Sequence, residues 1–210
     1  MLHYLTGTDL WMNPQLASSM FRDRKRQFAD RLGWRVDVDR NGYERDQYDP
    51  LNPVYVVISD PDGNHTGSMR LLPTTGRTMI NDFFSEILEG GPICDPRIWE
   101  CTRFCVSERA SRNTAAQLFA AAGFLLQELD VESLVAVFDQ QMLRKYRISR
   151  VLPRVLGEGE VAGSNILAGK WAFDRDWLRE LIDLSKLDQL EFEVSFVNSS
   201  LYNPNIRWIA

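Results

Sequence analysis

An arginine interrupts an otherwise apolar stripe near the start of the chain. Leu16, Met20, Arg24 and Phe28 are spaced by four residues, so on a helix they share one face. A buried charge without a partner is very costly. Arg24 therefore either binds an anionic group or lies at the edge of the stripe with its charged head in water.

A loop rich in acidic residues runs from Tyr43 to Asp49 and carries three carboxylates in six residues. Such a loop is either a solvated surface or a site that holds a cationic substrate group. Arg70, on a predicted strand, shares its alternation with Leu72 and can therefore point toward the core. There it could form an ion pair with Asp46 or Asp49.

Glu100 and Arg103 are two further charges on a predicted strand. They differ in parity, so a regular strand would send them to opposite faces. A β-bulge between them would bring both to one side, as often occurs beside active sites. A strand with one charge on each face is the alternative. Cys101 and Cys105 lie beside them without a candidate histidine, and we expect both to be small core residues.

A group of basic residues in the second half of the chain reverses the local charge. Five cations fall within eleven residues, with no acidic residue among them: Arg144, Lys145, Arg147, Arg150 and Arg154. This cluster either docks an acidic partner by electrostatic attraction or is a solvated cationic face.

The composition limits the classes of protein to which the chain can belong. Its 210 residues are 44% hydrophobic and 25% charged, as in ordinary globular folds, and we expect one domain over residues 1–210. The net charge of −5 argues against nucleic acid as a partner. Three cysteines and two histidines argue against a structural zinc site and for reduced thiols. No apolar run reaches the ~20 residues of a membrane span and no signal peptide is visible, so we expect a cytoplasmic protein.

Hydrophobic periodicity and turn residues predict a mixture of strands and helices. Asn13-Pro14 is a helix start, and the alanine-rich stretch 114–130 is apolar almost all round, as in a buried helix. The strand–helix–strand order from residue 98 to 138 predicts a parallel crossover. The predicted strands are 54–59, 66–72, 98–106, 133–138, 151–156, 166–173 and 192–197, and the predicted helices are 14–31, 81–88, 114–130, 140–147 and 174–184. Together they predict an α/β or α+β three-layer sandwich.

Taken in order, the charged motifs resemble those of the LuxI-type acyl-homoserine-lactone synthases. The motifs are Arg24…Phe28…Trp34, the segment Glu44–Asp49, the segment Arg70–Thr75, and Trp99-Glu100-x-x-Arg103-Phe104. The similarity is dense from Arg24 to Val106, thinner to Gly157 and weak beyond it. Thr102 departs from the serine that is more frequent in the family, but it keeps a hydroxyl.

The resemblance implies a fold and a reaction. The fold is similar to that of the GCN5-related N-acetyltransferases (GNAT): a mixed sheet with a bulged, splayed strand pair and helices on both sides. Family members transfer an acyl chain from acyl-carrier protein, or in some cases from coenzyme A, to the amine of S-adenosylmethionine. The carboxylate of that substrate then displaces methylthioadenosine and closes the lactone, which is a signal in bacterial quorum sensing. S-adenosylmethionine is a substrate, so we expect no cofactor and no metal.

The same resemblance implies a catalytic set of Glu100, Arg103 and Phe104. The substrate amine is largely protonated at neutral pH, and Glu100 would act as its general base, directly or through a water. Backbone N–H groups near Phe104 would stabilise the negative charge that develops on the acyl oxygen.

A second set of residues would bind S-adenosylmethionine. Its cationic groups suit acidic side chains, its carboxylate suits Arg24 or Arg103, and its adenine or sulfonium suits an aromatic face. Arg70 would lock the acidic loop by an ion pair. The full set is Arg24, Phe28, Trp34, Asp46, Asp49 and Arg70.

The acyl chain requires an apolar pocket, for which Leu125, Ala136, Phe138 and Met142 are the candidates. Ala136 occupies the position where members that make 3-oxoacyl signals often carry threonine. Alanine has no hydroxyl, so we expect an unsubstituted or 3-hydroxyacyl chain. In this interpretation the basic cluster would dock the acidic acyl-carrier protein.

Two alternatives remain open at this point. One is another GNAT-type N-acyltransferase that uses acyl-coenzyme A, although the segment Ser107–Asn113 lacks the glycines of the usual pyrophosphate-binding loop. The other is a non-catalytic binding module with the same fold, which the presence of both Glu100 and Arg103 disfavours.

Overall fold

The computed structural model describes residues 1–148, 151–161 and 163–204, and the side chains of residues 145 and 148 also lie outside the description. The chain divides into two compact units. The first comprises Met1–Arg70, Arg103–Leu125 and the described residues from Arg175 onward. The second comprises Leu71–Thr102 and Leu126–Asp174, as far as they are described. The single domain expected over residues 1–210 stays a prediction.

The described residues contain seven strands in one mixed sheet, ordered β1-β2-β3-β4-β5-β7-β6. β1 is antiparallel to β2, β5 is antiparallel to β7, and β7 is antiparallel to β6. The strands are β1 (Leu2–Thr6), β2 (Val54–Ser59), β3 (His65–Pro73), β4 (Ile98–Val106), β5 (Ser133–Asp139), β6 (Arg154–Val161) and β7 (Ser164–Ala172). A mixed sheet combined with helices confirms the predicted fold class.

The helices of the described residues are α1 (Gly7–Trp11), α2 (Pro14–Lys25), α3 (Met79–Phe83), α4 (Thr114–Glu128), α5 (Gln140–Ile148), α6 (Arg175–Ser185) and α7 (Gln189–Val197). A π-helical turn, Arg26–Arg31, follows α2, and 3-10 turns lie at Asp49–Leu51 and Ser85–Ile87. None of the helices in the described ranges has both the length and the apolar character that crossing a bilayer requires.

The crossover predicted between residues 98 and 138 is confirmed. β4 and β5 are parallel, and the alanine-rich helix α4 lies between them in the chain. Their register pairs Ile98–Glu100 with Ser133–Val135, which is only three of the nine residues of β4. Farther along β4, Arg103 has φ +52°, a left-handed conformation that is uncommon for a residue other than glycine. The short pairing between β4 and β5 and the irregular backbone at Arg103 agree with the bulged, splayed strand pair that the resemblance implies.

In the second unit, the 3-10 turn Ser85–Ile87 approaches β6 so closely that a side chain is excluded. A Cβ added to Gly157 would lie 1.7 Å from the carbonyl oxygen of Ile87. The Glu89 N–H donates to the Leu156 carbonyl at 3.3 Å in the same contact. Glycine at position 157 is therefore required by this close packing.

The predicted strand at 192–197 is wrong, because these residues belong to α7. The Asp188 side chain caps the helix by accepting from the Leu190 N–H at 3.1 Å. Phe192 and Phe196 are spaced by four residues and both are buried, as on one helix face. From Leu190 to Val194 apolar and acidic residues alternate, and this alternation imitates the period of a strand.

The remaining differences concern strand β1 and several boundaries. β1 was not predicted, because its five residues show only a short and incomplete alternation. The strand predicted at 151–156 lies at Arg154–Val161, and the short helix predicted at 81–88 is divided into α3 and the turn Ser85–Ile87.

Candidate active site

Three arginines and three carboxylates of the first unit alternate in a closed ring of ion pairs, called here the charge ring. Helix α2, strands β3 and β4 and the acidic loop supply its members. Going round the ring, each residue binds the next: Arg24, Glu44, Arg103, Asp46, Arg70 and Asp49, which returns to Arg24. With equal numbers of each sign, the ionised ring has no net charge.

Arg24 binds two carboxylates of the ring at the same time. Its Nε donates to Glu44 Oε2 at 2.6 Å, and its Nη1 and Nη2 donate to the two oxygens of Asp49 at 2.9 and 3.0 Å. The second pair has the bidentate geometry that makes arginine–carboxylate contacts strong. The side chain of Arg24 is only 1% exposed, so Arg24 is the anion-bound arginine and not a snorkelling one.

Arg70 and Arg103 bind Asp46 from two sides. Arg70 donates to both Asp46 oxygens, at 2.5 and 2.9 Å, and to Asp49 at 2.9 Å, which confirms its predicted pairing with the acidic loop. Arg103 donates to Glu44 through Nε at 3.0 Å, and through Nη2 to Asp46 at 2.8 Å. The side chains of Arg103 and Asp46 are 11% and 10% exposed, whereas the other four members are at most 2% exposed. This pair is therefore the open edge of the ring.

Electrostatic interactions with the arginines lower the pKa of two carboxylates of the ring, Asp49 and Asp46. Burial by itself would raise the pKa of Asp49, but the Arg24 and Arg70 guanidiniums hold it well below its usual range. The pKa of Asp46 is lowered in the same way, since its two arginine partners outweigh the effect of burial. Tyr55 donates to Asp49 Oδ1 at 2.6 Å, and burial together with the Asp49 charge raises the pKa of this phenol. Tyr55 therefore stays a neutral donor.

Each arginine of the charge ring also lies over an aromatic ring, a geometry that attracts cations. The guanidinium carbon is 5.0 to 5.4 Å from the ring centroid in three pairs: Arg24 over Phe21, Arg70 over Tyr48, and Arg103 over Phe28. Phe28 in turn stacks on Trp34, with centroids 5.3 Å apart, and Trp34 is 47% exposed. The two aromatic residues expected to pack on substrate thus extend from Arg103, at the open edge.

Glu44 is the ring member that the sequence analysis did not select as a site residue. It is fully buried and joins Arg24 to Arg103. A signal for it was present, because three inward-facing arginines require three carboxylates, and Asp46 and Asp49 supply only two. Counting charges would have added the remaining carboxylate of the acidic loop.

In the second unit, Glu100 accepts hydrogen bonds from the first backbone N–H groups of α3. The Met79 and Ile80 N–H groups donate to its two oxygens at 2.8 and 2.5 Å, and the side chain is buried. These N–H groups have no acceptor within the helix, so Glu100 satisfies them in place of the Thr78 side chain. General-base catalysis by Glu100 stays a prediction.

The acyl-pocket candidates are apolar and mostly buried. Leu125 is buried in the first unit, whereas Ala136 and Phe138 are buried on β5 in the second unit and Met142 is half-buried on α5. Ala136 and Phe138 are alternate residues and so share one face of β5. Phe138 contacts Tyr146 edge-on, with centroids 5.1 Å apart. Their role in binding an acyl chain stays a prediction.

Three of the five residues in the basic cluster are exposed to solvent: Arg144 and Arg147 on α5, and Arg154 at the start of β6. Arg150 and the side chain of Lys145 lie outside the described residues. Docking of a partner at this cluster stays a prediction.

All three cysteines are free thiols, and Cys94 is the exposed one. Burial raises the pKa of the Cys105 thiol to about 12, so this thiol stays protonated, as expected for a small core residue. Cys101 is half-buried. Within the described ranges, no three His, Cys, Asp or Glu side chains are arranged to hold a metal ion.

Comparisons with known proteins agree with the resemblance in the motifs. A sequence model of the autoinducer synthases matches residues 9–180. An acyl-homoserine-lactone synthase from Rhizobium etli is 38% identical over 195 residues, which cover 89% of this chain and 92% of that relative.

Solved structures agree with the fold. A coenzyme A-dependent acyl-homoserine-lactone synthase, BjaI, solved with S-adenosylmethionine and isopentyl-CoA, superimposes with a TM-score of 0.80 at 23% identity, over 90% of each chain. An acyl-CoA N-acyltransferase from Pseudomonas aeruginosa superimposes with a TM-score of 0.57 at 12% identity, over 82% of this chain and 99% of its own. The extent of the family match and the identity to the Rhizobium relative show that this chain belongs to the autoinducer synthases, the acyltransferase family that includes the acyl-homoserine-lactone synthases.

Proposed function

We propose that this chain transfers an acyl group from a thioester to the amine of S-adenosylmethionine, and that the product closes to an acyl-homoserine lactone with release of methylthioadenosine. The observation that carries the proposal is the open edge of the charge ring. At this edge Arg103 and Asp46 present one cation and one anion beside the buried ring of Phe28, on which the exposed indole of Trp34 stacks.

The open edge matches the amino-acid end of S-adenosylmethionine. Within the described residues, the bonded donors of Arg103 are Nε and Nη2, which leaves Nη1 for the substrate carboxylate. Arg24 uses Nε, Nη1 and Nη2 on Glu44 and Asp49 and is buried, so of the two candidate arginines Arg103 is the one that binds the carboxylate. Asp46 is at the open edge and receives the cationic groups of the substrate. Asp49 is buried and serves to hold Arg24 and Arg70.

The reaction then follows from groups of this chain. Glu100 takes a proton from the substrate ammonium, directly or through a water, and the free amine attacks the thioester carbonyl. The C–N bond forms, the C–S bond breaks, and the proton lost by the attacking nitrogen passes to the departing thiolate. Backbone N–H groups of β4 near Phe104 stabilise the oxyanion in between. The carboxylate finally attacks the carbon that bears the sulfonium and displaces methylthioadenosine.

A direct test combines two measurements on the purified chain. With S-adenosylmethionine and a series of saturated and 3-hydroxyacyl donors, mass spectrometry should detect acyl-homoserine lactone and methylthioadenosine in equal amounts. Acylation of simple amines without methylthioadenosine release would instead identify an ordinary GNAT-type N-acyltransferase. Asp46→Asn should abolish product formation, whereas Asp30→Asn, which changes an exposed pair with Lys25, should leave it unchanged.

For the acyl donor, we propose acyl-carrier protein rather than coenzyme A, on the ground of the exposed basic cluster. Carrier proteins are acidic, and Arg144, Arg147 and Arg154 are exposed cations in a chain of net charge −5. Reversing all three to Glu should raise the KM for the carrier-bound donor steeply and leave the KM for S-adenosylmethionine unchanged. Single exposed contacts are worth about 0.2–1 kcal/mol each, so single changes should have small effects.

A matched control reverses three exposed cations elsewhere in the chain: Arg175, Arg179 and Lys186. Both triple variants have the same net charge. A difference between their KM values for the carrier-bound donor would therefore come from the position of the basic cluster. Equal KM values for the carrier-bound donor in both variants, or a KM of the wild type that does not rise with salt, would contradict carrier docking there.

A further inference from the structure

The Gln27 side chain binds the backbone of β4 as a neighbouring strand would. Its Nε2 donates to the Phe104 carbonyl at 2.8 Å, and its Oε1 accepts from the Val106 N–H at 3.2 Å. The carbonyl of one strand residue and the N–H two residues later point to the same edge, so one carboxamide can pair with both. Only one of the two possible amide orientations satisfies both contacts, which fixes the assignment of its oxygen and nitrogen.

Gln27 also belongs to the π-helical turn that carries the aromatic part of the site. Its own carbonyl accepts from the Leu32 N–H at 3.1 Å, which is the i to i+5 bond of a π-helix. The next residue, Phe28, accepts from the Trp34 N–H at 2.9 Å and stacks on the indole. Single π-helical turns are rare and occur frequently at functional sites. Through one residue, this turn is therefore joined to β4.

The stretch of β4 that Gln27 holds is the irregular one. It begins directly after Arg103, whose left-handed backbone breaks the alternation and whose guanidinium binds the charge ring. A residue in this conformation persists only where its surroundings hold it. On the other face, the Phe104 ring stacks on Phe119, with centroids 5.2 Å apart. Gln27 thus fixes the peptide groups on both sides of Cys105, the first of which carries the Phe104 carbonyl.

We infer that Gln27 is a positioning residue for acyl transfer: its carboxamide orients the backbone of β4 at Phe104 toward the reacting thioester carbonyl. The inference rests on the proposed function, in which N–H groups of this stretch stabilise the oxyanion. Gln27 itself touches neither substrate, so its loss should lower kcat more than it changes either KM. Misplacing a reacting group by about 1 Å can reduce a rate about 10²-fold.

Two substitutions separate positioning from a merely structural role. Gln27→Met keeps the length of the side chain and removes both hydrogen bonds, and kcat should fall about 10- to 100-fold with the KM for S-adenosylmethionine within about threefold of wild type. Gln27→Glu keeps the shape, but an ionised carboxylate cannot donate to the Phe104 carbonyl. A protonated carboxyl has the same donor and acceptor as the carboxamide, so this variant should recover activity as the pH falls.

The measurement is the ratio of variant to wild-type kcat between pH 8 and pH 6. Partial burial beside a carbonyl oxygen raises the pKa of the introduced Glu, and its protonated fraction grows about tenfold per pH unit above that pKa. As the pH falls from 8 to 6, the ratio for Gln27→Glu should rise at least about fivefold. The ratio for Gln27→Met should stay constant over the same range. Four charged residues of the native protein act on the Cys105 thiol, in the part of β4 that Gln27 binds: Asp23, Arg24, Arg31 and Glu44. These four residues are common to all three proteins, so their effect cancels in the ratio of variant to wild-type kcat.

Gln189→Glu is the matched control, because Gln189 is an exposed residue that bonds only to Glu193 in the described contacts. Its activity ratio should be close to one and independent of pH. If Gln27→Met keeps the kcat of the wild type, or if the ratio for Gln27→Glu does not change with pH, the inference about Gln27 is wrong and the proposed function is unaffected. A wild type that releases no methylthioadenosine with any donor would overturn the proposed function, and this inference with it.

Discussion

Removing one charge from the charge ring provides a sharp test of its energetic importance. Glu44→Gln keeps the size of the side chain but leaves three arginines with two carboxylates. The substituted amide would place its NH₂ group against the guanidinium of Arg24 or Arg103, because Glu44 contacts both. The change therefore removes attraction and adds a contact between two donors.

The expected magnitude follows from burial. Glu44 and Arg24 are 0% and 1% exposed, and breaking a buried ion pair by removing one partner costs about 3–5 kcal/mol. Domains of this kind have a total stability of about 5–15 kcal/mol. For about 200 residues, each 1 kcal/mol shifts Tm by about 2–4 °C, so Tm should fall by about 6–20 °C.

The assay is urea unfolding and thermal melting of wild type, Glu44→Gln and a control that breaks an exposed pair. Glu132→Gln is suitable, because Glu132 pairs with Arg97 where both side chains are more than half exposed. Such a surface pair is worth about 0–1 kcal/mol. If Glu44→Gln and Glu132→Gln destabilise the protein equally, by less than about 1 kcal/mol, the ring does not hold the first unit together as argued.

Two further predictions concern Glu100 and His65. Glu100→Gln should lower turnover about 10²–10⁴-fold, and the defect should shrink from pH 7 to pH 9.5 as more substrate amine is already neutral; a constant ratio would mean that Glu100 serves only to cap α3. Burial lowers the pKa of His65 below its usual 6.5, against the opposing effect of Asp23, so the folded protein resists a proton that the unfolded chain accepts. The free energy of unfolding should therefore decrease as pH falls below about 6.5, by at most about 1.4 kcal/mol per pH unit. In urea titrations from pH 7.5 to 5.5, this decrease should be smaller in His65→Gln; identical slopes would contradict it.

The sequence predicts elements well where apolar residues form a continuous run or a clean period. The predicted strands 54–59 and 98–106 agree with the observed bounds, and in the first of them Val54–Ile58 is a continuous apolar run. Residues 192–197 were misassigned, because alternating acidic and apolar residues fit a strand locally. The helix there depends on where Phe192 and Phe196 pack, and that is tertiary information.

The site shows the same division between local and tertiary information. Arg24 and Arg70 could be predicted, because a charge on an apolar face has few explanations. The role of Gln27 could not be predicted. Glutamine is common on the partly exposed side of helices, and Gln27 is half-buried in this way. Its contact with Phe104 joins residues that are 77 positions apart. Residues that act on the backbone of a distant strand leave no local pattern.

The alternating order of the charge ring determines which of its members can face a substrate. Every member is paired with opposite charges on both sides, but the four inner members are closed to solvent, so within the ring only Arg103 and Asp46 can meet a ligand. Because the ring is neutral as a whole, this edge acts on a ligand as a dipole and not as a net charge. In the proposed function, the amino-acid end of the substrate carries the complementary dipole, and its carboxylate would meet Arg103 while its ammonium would meet Asp46. Recognition at such an edge depends on orientation, which is what a reaction requires when amine and carboxylate of the same substrate must each attack a different carbon.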